Sequence, residues 1–432
     1  MAEFKTVRGM RDFLPEEAKM MRHIEGKTRR IAELYGYKEI ITPVVESYEL
    51  LAAKAGEEVR LRMYAFNDLG KRKVALRPEF TPSVARLVAT TLKNEPKPFR
   101  LFCVGSLYRY DEPQQGRYRE FWQSDFELIG SDKPEADAEI IMLTNSLMGI
   151  AGLKDFTFKV GHVGVLRGVM DQENLDEKVQ NQVMQLMDKT EYDEAIKLVE
   201  KAGASEKCLA TLRKLVKLKG DKVSEVLEKM RRSVEEYDEA MAAVDNMREI
   251  LKLVLDSGCR IDILVDAGFA RGLEYYTGII FEITVPELEK ALAGGGRYDK
   301  LIELFGGAST PAVGVAHGLD RIMLALQLQK AVVKVKEEKT VMVISVNEKL
   351  KIEALKISRI LRDADISAEV EVTGRKVAKA LEDADRRKMD YAIIVGEKEL
   401  EEKSVAVRDL AKRKQEIVKI EKIADVIRGK GI

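Results

Sequence analysis

The sequence predicts an α+β domain built on an antiparallel sheet, interrupted by a helical insertion and followed by a small α/β domain. Three observations carry that prediction. Two β-rich segments, Arg100–Tyr110 and Glu120–Ile129, flank the turn-like stretch Asp111–Gly116, which is the pattern of an antiparallel hairpin. Residues 170–257 are poor in proline and rich in Glu, Lys, Leu, Met and Ala, with apolar residues at helical spacing such as Val223, Val226, Leu227 and Met230. From residue 340 onward, short apolar strands alternate with helical stretches, which argues a mostly parallel sheet.

The other elements follow in order. Residues 11–35 predict a helix, with Asp12 and Pro15 at its start, Glu16 and Glu17 in the first turn and Gly36 closing it. Residues 37–46 read as a strand interrupted by Pro43, which cannot donate a ladder bond, so the strand lies at an edge or bends there. Val74–Leu76 is a further strand, and Pro134–Gly149 a helix. Strands return at Ile261–Gly268 and Ile279–Val285, a glycine cluster follows at 294–296, and Gly314–Leu326 passes from strand to helix. The polar, Lys/Glu-rich residues 327–339 read as a linker. In the tail, VMVISV, AEVEV and YAIIVG are strands, with helices at 348–364 and 375–388 and a final helix. The expected partition is therefore 1–169 with 258–326, an insertion at 170–257, the linker, and 340–432.

Bulk properties narrow the function classes. With 432 residues, 45% of them hydrophobic, the chain can bury more than one core. Lys+Arg and Asp+Glu are both 73, so any nucleic-acid contact must come from local basic patches. Cys103, Cys208 and Cys259 are dispersed, with no C-x-x-C, which excludes a disulfide scaffold and a thiolate zinc site. The start MAEFKTVRGM has no apolar core, and no apolar run reaches the ~18 residues of a membrane span, so a soluble cytoplasmic protein without a membrane partner is expected. A P-loop, a dinucleotide fingerprint and a G-x-S-x-G elbow are absent from the sequence. Only His23, His162 and His317 are present, so polar chemistry falls on arginines, carboxylates and tyrosines.

Those residues concentrate in five segments. In Leu76–Pro82 two prolines fix a turn that presents Glu79 and Thr81, or simply caps a helix with an acid. The hairpin Tyr108–Gln123 carries Arg109, Arg117 and Arg119 beside Tyr118 and the chain's one Trp. Guanidinium forks there match phosphate oxygens, or alternatively make cross-strand ion pairs. In Ala270–Gly278, Arg271 stands among small residues, a place that needs either an anionic ligand or a partner such as Glu274. Ala293–Asp299 carries glycines that let backbone approach a ligand closely. In Ala312–Arg321, small residues pack a strand on a helix and put Arg321 at the helix start, where it can also be a plain surface arginine.

Taken together and in order, the segments resemble class II aminoacyl-tRNA synthetases, and specifically the histidyl family, over most of the chain. TVRGMRDFLP is similar to the family's opening. ITPVVE resembles motif 1, FRLFCVGSLYRYDEPQQGRYREFWQSDFELIG motif 2 and PAVGVAHGLDRIMLAL motif 3. ARGLEYYTG and GGGRYD resemble the two histidine-specific motifs. The resemblance implies a class II catalytic domain, an α/β anticodon-binding domain at 340–432, a homodimer formed through motif 1, and ATP-dependent joining of L-histidine to tRNA(His). It further implies that Arg109 meets the α-phosphate of ATP and Arg321 the γ-phosphate, with Arg117 and Tyr118 near adenine and the RNA acceptor end. Glu79 and Thr81 would hold the substrate α-amino group with Gln123 nearby, Glu127 and Tyr276 would reach the imidazole, and Tyr275 and Tyr298 would line the same pocket. Arg271 would be the catalytic arginine, against the carboxylate and α-phosphate. Mg2+ would bridge phosphates, held mostly by ATP and a few carboxylates, with no protein ligand singled out. In the tail, Arg375, Lys376, Lys379, Arg386, Arg387 and Lys388 are candidates to grip an anticodon loop, or ordinary helix-surface charges. Glu112 is acidic where bacterial members commonly carry a basic residue, which puts RNA-end recognition in doubt at that position, although Gln114 fits. Two other readings share the fold: a non-catalytic regulatory subunit of ATP phosphoribosyltransferase, against which the arginines and the tail speak, and a synthetase-derived RNA-binding module.

Overall fold

A computed structural model of the chain describes residues 4–53, 55–332 and 339–429. Two compact units emerge, Met1–Val333 and Lys334–Ile432. Residues 333–338 of the expected linker lie outside the described residues, and the helix Leu319–Leu328 runs into its first positions.

The strands of the larger unit are, in chain order, β1 (Lys38–Glu39), β2 (Val45–Ser47), β3 (Ala65–Asn67), β4 (Lys73–Leu76), β5 (Phe99–Tyr108), β6 (Glu120–Ile129), β7 (Thr157–His162), β8 (Lys219–Gly220), β9 (Ile263–Asp266), β10 (Ile279–Val285), β11 (Leu288–Arg297) and β12 (Ala312–Gly318). Nine of them form one sheet in the order β1-β5-β6-β12-β11-β10-β7-β9-β8. From β5 through β7 every pairing is antiparallel. β2, β4 and β3 form a separate small sheet.

One face of the large sheet buries apolar side chains under helices. Phe126 of β6 meets His317 of β12 edge-on, and His317 Nε2 lies 3.2 Å from Thr144 Oγ1 in the helix Pro134–Ala151. The helices of residues 170–257 add Met184, Met187, Leu212, Met230 and Leu251 to this same core, and their connecting strand β8 pairs with β9.

The helix expected from residue 11 begins at Pro15. Leu14 before it is extended and donates its N–H to Glu17, a capping arrangement that starts the helix at Pro15. Arg11 is drawn away to Asp320 instead. The strand expected at 37–46 splits into β1 and β2 of different sheets around Pro43, where the buried Arg77 guanidinium donates to Thr42 O at 2.7 Å and Pro43 O at 3.4 Å. The glycine cluster 294–296 lies within β11, because the neighbouring strand leaves no room for side chains: a Cβ on Gly295 would be 2.3 Å from Gly314 O.

The smaller unit has five strands, β13 (Thr340–Ser345), β14 (Ser367–Val370), β15 (Tyr391–Val395), β16 (Ser404–Asp409) and β17 (Lys414–Lys419), in the order β14-β13-β15-β16-β17. The first three are parallel, as expected; β15, β16 and β17 pair antiparallel, and this hairpin occupies much of the stretch read as a final helix, which shrinks to Ile423–Ile427. β17 is an edge strand with only Val418 buried, so its charges mask its period of two.

Candidate active site

A strand sends alternate side chains to opposite faces. On β6, Phe126 and Ser124 enter the helical layer, so Gln123, Asp125 and Glu127 line the other face. Directly across on β12 stand Gly318, Ala316 and Gly314, and beyond them on β11 come Gly294 and Gly296. Missing side chains opposite a polar row leave a trench, and a cavity of about 340 Å³ forms there. The approach is too close for anything larger than glycine: a Cβ on Gly314 would lie 1.7 Å from Glu127 Oε2, and one on Gly294 2.2 Å from an Arg271 guanidinium nitrogen.

The residues assigned above to ATP and histidine all line this single cavity, whereas Arg119 turns away, donating Nε to Asp111 O at 3.0 Å and covering the Tyr110 ring. One end is cationic. Arg109 donates Nε to Pro78 O at 2.9 Å and lies 5.4 Å from the Phe121 ring centre. Arg321 donates to Gly116 O at 3.0 Å and Ala291 O at 2.7 Å. Arg117 makes a two-pronged pair with Asp111 at 2.7 and 2.9 Å, and Arg62 adds a third bond to that carboxylate at 3.0 Å. Burial, and then the charges of Arg109 and Arg117, push the Arg321 pKa down. Among the described residues, neither Arg109 nor Arg321 has a carboxylate partner, so an incoming anion meets guanidinium groups held only by carbonyls. Tyr118 is covered by the Arg11 guanidinium, 3.7 Å from its ring centre.

The other end is acidic and phenolic. Glu79 accepts a hydrogen bond from Tyr275 OH at 3.1 Å. Glu127 accepts from Thr81 Oγ1 at 2.7 Å on one oxygen and from Tyr298 OH on the other. Tyr275 packs against Tyr276 and Tyr298, with centres 5.0 and 5.7 Å apart. Burial pushes the Glu127 carboxyl up to about 7, the Glu79 charge adding to it, and burial raises Glu79 as well. Between the two ends Arg271 donates Nη1 to Glu282 at 2.7 Å, while its buried Nε has no partner among the described residues. Burial opposes its charge, but Tyr276, Glu282 and Asp188 outweigh this and raise its pKa. The alternative partner Glu274 is occupied elsewhere, accepting from Gln185 at 3.4 Å.

Sequence reasoning missed Asp125, Asp188 and Glu282, all of which line the cavity. The alternation Gln123-x-Asp125-x-Glu127 signalled the first, and the β10 register that sets Glu282 opposite Gly294 signals the last. Asp188 comes from the helical segment, and nothing local marks it. Glu112 is exposed and pairs with Arg8 at 2.9 Å. Among the described residues no group of three or more His, Cys, Asp or Glu is arranged to hold a metal. The donor set therefore fits Mg2+ only as an ion carried chiefly by phosphates, with a single carboxylate such as Glu282 available beside Arg271.

In the smaller unit, Arg375 and Arg386 pair with Asp383 at 2.8 and 2.5 Å, and Arg387 pairs with Glu369 at 2.5 Å. Lys376, Lys379 and Lys388 are exposed.

Known proteins match along the whole length. The family model for histidyl-tRNA synthetase matches residues 9–322, and that for an anticodon binding domain matches 340–430. A histidine–tRNA ligase of Methanocaldococcus jannaschii is 43% identical over 425 residues, covering 98% of this chain and 99% of the relative. One from Sulfolobus acidocaldarius is 40% identical over 429 residues, with 99% of each chain covered. Among solved structures, histidyl-tRNA synthetase from Nostoc sp. PCC 7120 shares the fold over 100% of both chains, with a TM-score of 0.80 at 24% identity. A Bacillus halodurans protein described as an ATP phosphoribosyltransferase regulatory subunit/histidyl-tRNA synthetase has a TM-score of 0.76 at 26% identity, covering 89% of this chain and 97% of its own.

Proposed function

Because the chain belongs to the histidyl-tRNA synthetase family, we propose that its cavity joins ATP and L-histidine as histidyl-adenylate before the histidyl group passes to the 3′ end of tRNA(His). ATP-dependent attachment of histidine to tRNA is the reaction of this family. The observation that carries the residue assignments is the polarity of the cavity, with the guanidinium groups of Arg109 and Arg321 held on carbonyls at one end and carboxylates with tyrosines at the other.

Activation is attack of the histidine carboxylate on the α-phosphorus of ATP; a carboxyl–phosphorus bond forms and the bond to pyrophosphate breaks. Both reactants are anions at the reacting centre, so the work is positioning and charge stabilisation, which arginines supply without a nucleophilic side chain. Arg109 meets the α-phosphate, Arg321 the γ-phosphate, and Arg117 with Tyr118 the adenine side. Arg271 leaves Glu282 to bridge the carboxylate and the α-phosphate, taking up the partner its Nε lacks. Mg2+, held by the phosphates with Glu282 as the available carboxylate, would neutralise charge on the leaving pyrophosphate. Glu79, Thr81 and Gln123 take the α-amino group. Glu127 and Tyr276 take the imidazole, with Tyr275 and Tyr298 closing the pocket. A substrate without the imidazole loses its hydrogen bonds to Glu127 and Tyr276 and is discriminated against by that loss.

The partition expected above, with catalytic residues 1–169 and 258–326, insertion 170–257 and anticodon-binding residues 340–432, belongs to the same reading. So does the homodimer. One face of the β2-β4-β3 sheet packs Ala75 on Leu51, Ala55 and Met63. The register puts Val45, Phe66, Val74 and Leu76 together on the other face, where Val45 is 43% and Phe66 47% exposed. Among the described residues no helix is long and apolar enough to cross a membrane, and three free cysteines suit a reducing cytoplasm.

Histidine-dependent exchange of pyrophosphate into ATP is the test. Exchange with histidine and with no other amino acid is the expected result. Histidine binding without exchange would instead favour the regulatory-subunit reading.

A further inference from the structure

Asp125 has no role in the account above. It stands on β6 between Gln123 and Glu127, is 2% exposed and lines the cavity. It accepts the backbone N–H of Phe80, in the turn that also presents Glu79 and Thr81. Its Oδ1 is buried with no hydrogen-bond partner among the described residues. Its cross-strand neighbours, Cys103 and Ala316, offer no strong donor. Burial and the charges of Glu127 and Glu79 push its pKa well up against the smaller opposing charge of Arg109, as expected for carboxyls crowded together.

The unused acceptors form a set. Glu79 Oε1, Gln123 Oε1 and Asp125 Oδ1 are all buried, all without partners among the described residues and all on residues lining this cavity. Both oxygens of Glu127, by contrast, already accept from hydroxyls. A primary ammonium carries three N–H donors and no acceptor.

Building on the histidine-site reading, we propose that Asp125 is a substrate-binding residue whose free oxygen accepts a hydrogen bond from the α-ammonium group of histidine. Glu79, Gln123 and Asp125 then take one N–H each; Asp125 takes the place given above to Thr81, whose hydroxyl stays on Glu127, and Glu127 is left to the imidazole. Two carboxylates on one ammonium also give the site its preference for a free amino acid over an N-acylated one or a peptide.

The test compares ligands that differ in one group. Histidine, histidinol (which keeps the amino group) and imidazolepropionate (which lacks it) are titrated into the full-length wild type and Asp125→Asn. The substitution is isosteric and keeps an acceptor for Phe80 N–H. Loss of a hydrogen bond to a charged group predicts about 10- to 100-fold weaker binding of histidine and histidinol, with imidazolepropionate and ATP changed less than about twofold. Equal weakening of all three imidazole ligands, or unchanged histidine affinity, overturns the proposal. Should Asp125→Asn not fold by circular dichroism, Asp125→Ser answers the same comparison. A wild type that fails histidine-dependent exchange refutes the function; a wild type that exchanges while the ligand pattern is absent refutes only the role of Asp125.

Discussion

The two ends of the cavity hold their charges in different ways. At the cationic end, Arg109 and Arg321 spend their donors on backbone carbonyls, which phosphate oxygens can replace with stronger, charge-assisted bonds. At the acidic end, Glu79, Asp125 and Glu127 are buried together, are supported by hydroxyls and one N–H, and shift upward in pKa. The first end is prepared for an anion that brings its own acceptors. The second suits a small cation with several donors. An amino acid and ATP, which meet through the amino acid's carboxylate, fit between them, with Arg271 at the junction.

Substitutions can break that contrast at three points. Arg271→Ala removes the one group shared by both ends, and adenylate formation should fall by about 10³-fold with thermal unfolding little changed. Wild-type exchange in this variant would remove Arg271 from the chemistry. Gly314→Ala drives a methyl into Glu127 and should raise the KM for histidine about 100-fold with a much smaller change for ATP, read from exchange kinetics with each substrate varied. Equal changes for both substrates would dissolve the separate imidazole subsite. Arg321→Ala should raise the KM for ATP about tenfold and leave that for histidine near its wild-type value. A variant with unaltered ATP kinetics would leave the γ-phosphate without this partner.

The pH dependence of stability sharpens the picture of the acidic end. Glu127 has a folded pKa of about 7 against 4.5 for the ordinary group, so the folded state holds the proton more tightly. Its contribution to stability is full below about 4.5 and is lost as pH rises through about 7. The conversion of about 1.4 kcal/mol per pKa unit caps the loss at roughly 3 kcal/mol for a fully buried group. Denaturant midpoints of the ligand-free protein should fall from pH 5 to pH 8 by an amount that Glu127→Gln reduces. An unchanged slope in that variant would mean that Glu127 is ionised in the empty pocket.

Much of this was legible in the sequence where a local rule governs. Motif order gave the family resemblance, and the hairpin of β5 and β6, the strand β10 and the helix after β12 stand where hydrophobic pattern and turn residues put them. The opening helix shortened because Arg11 is claimed by the distant Asp320 and Leu14 takes the extended cap position, and no propensity reports the first of these. The β16–β17 hairpin was hidden because an exposed edge strand needs few apolar residues. Within the site, the arginines announced themselves by their apolar settings. Asp188 and Glu282 did not, because an acid in a charged helix or an alternating strand looks like surface until cross-strand register is known.

If the two ends bind two different ligands, calorimetric titration of ATP and of histidine into Arg109→Ala/Arg321→Ala and into Glu79→Gln/Glu127→Gln separates them. The arginine pair should lose ATP affinity at least about ten times more than histidine affinity, and the carboxylate pair should do the reverse. Parallel losses of both ligands in either double variant would contradict that division.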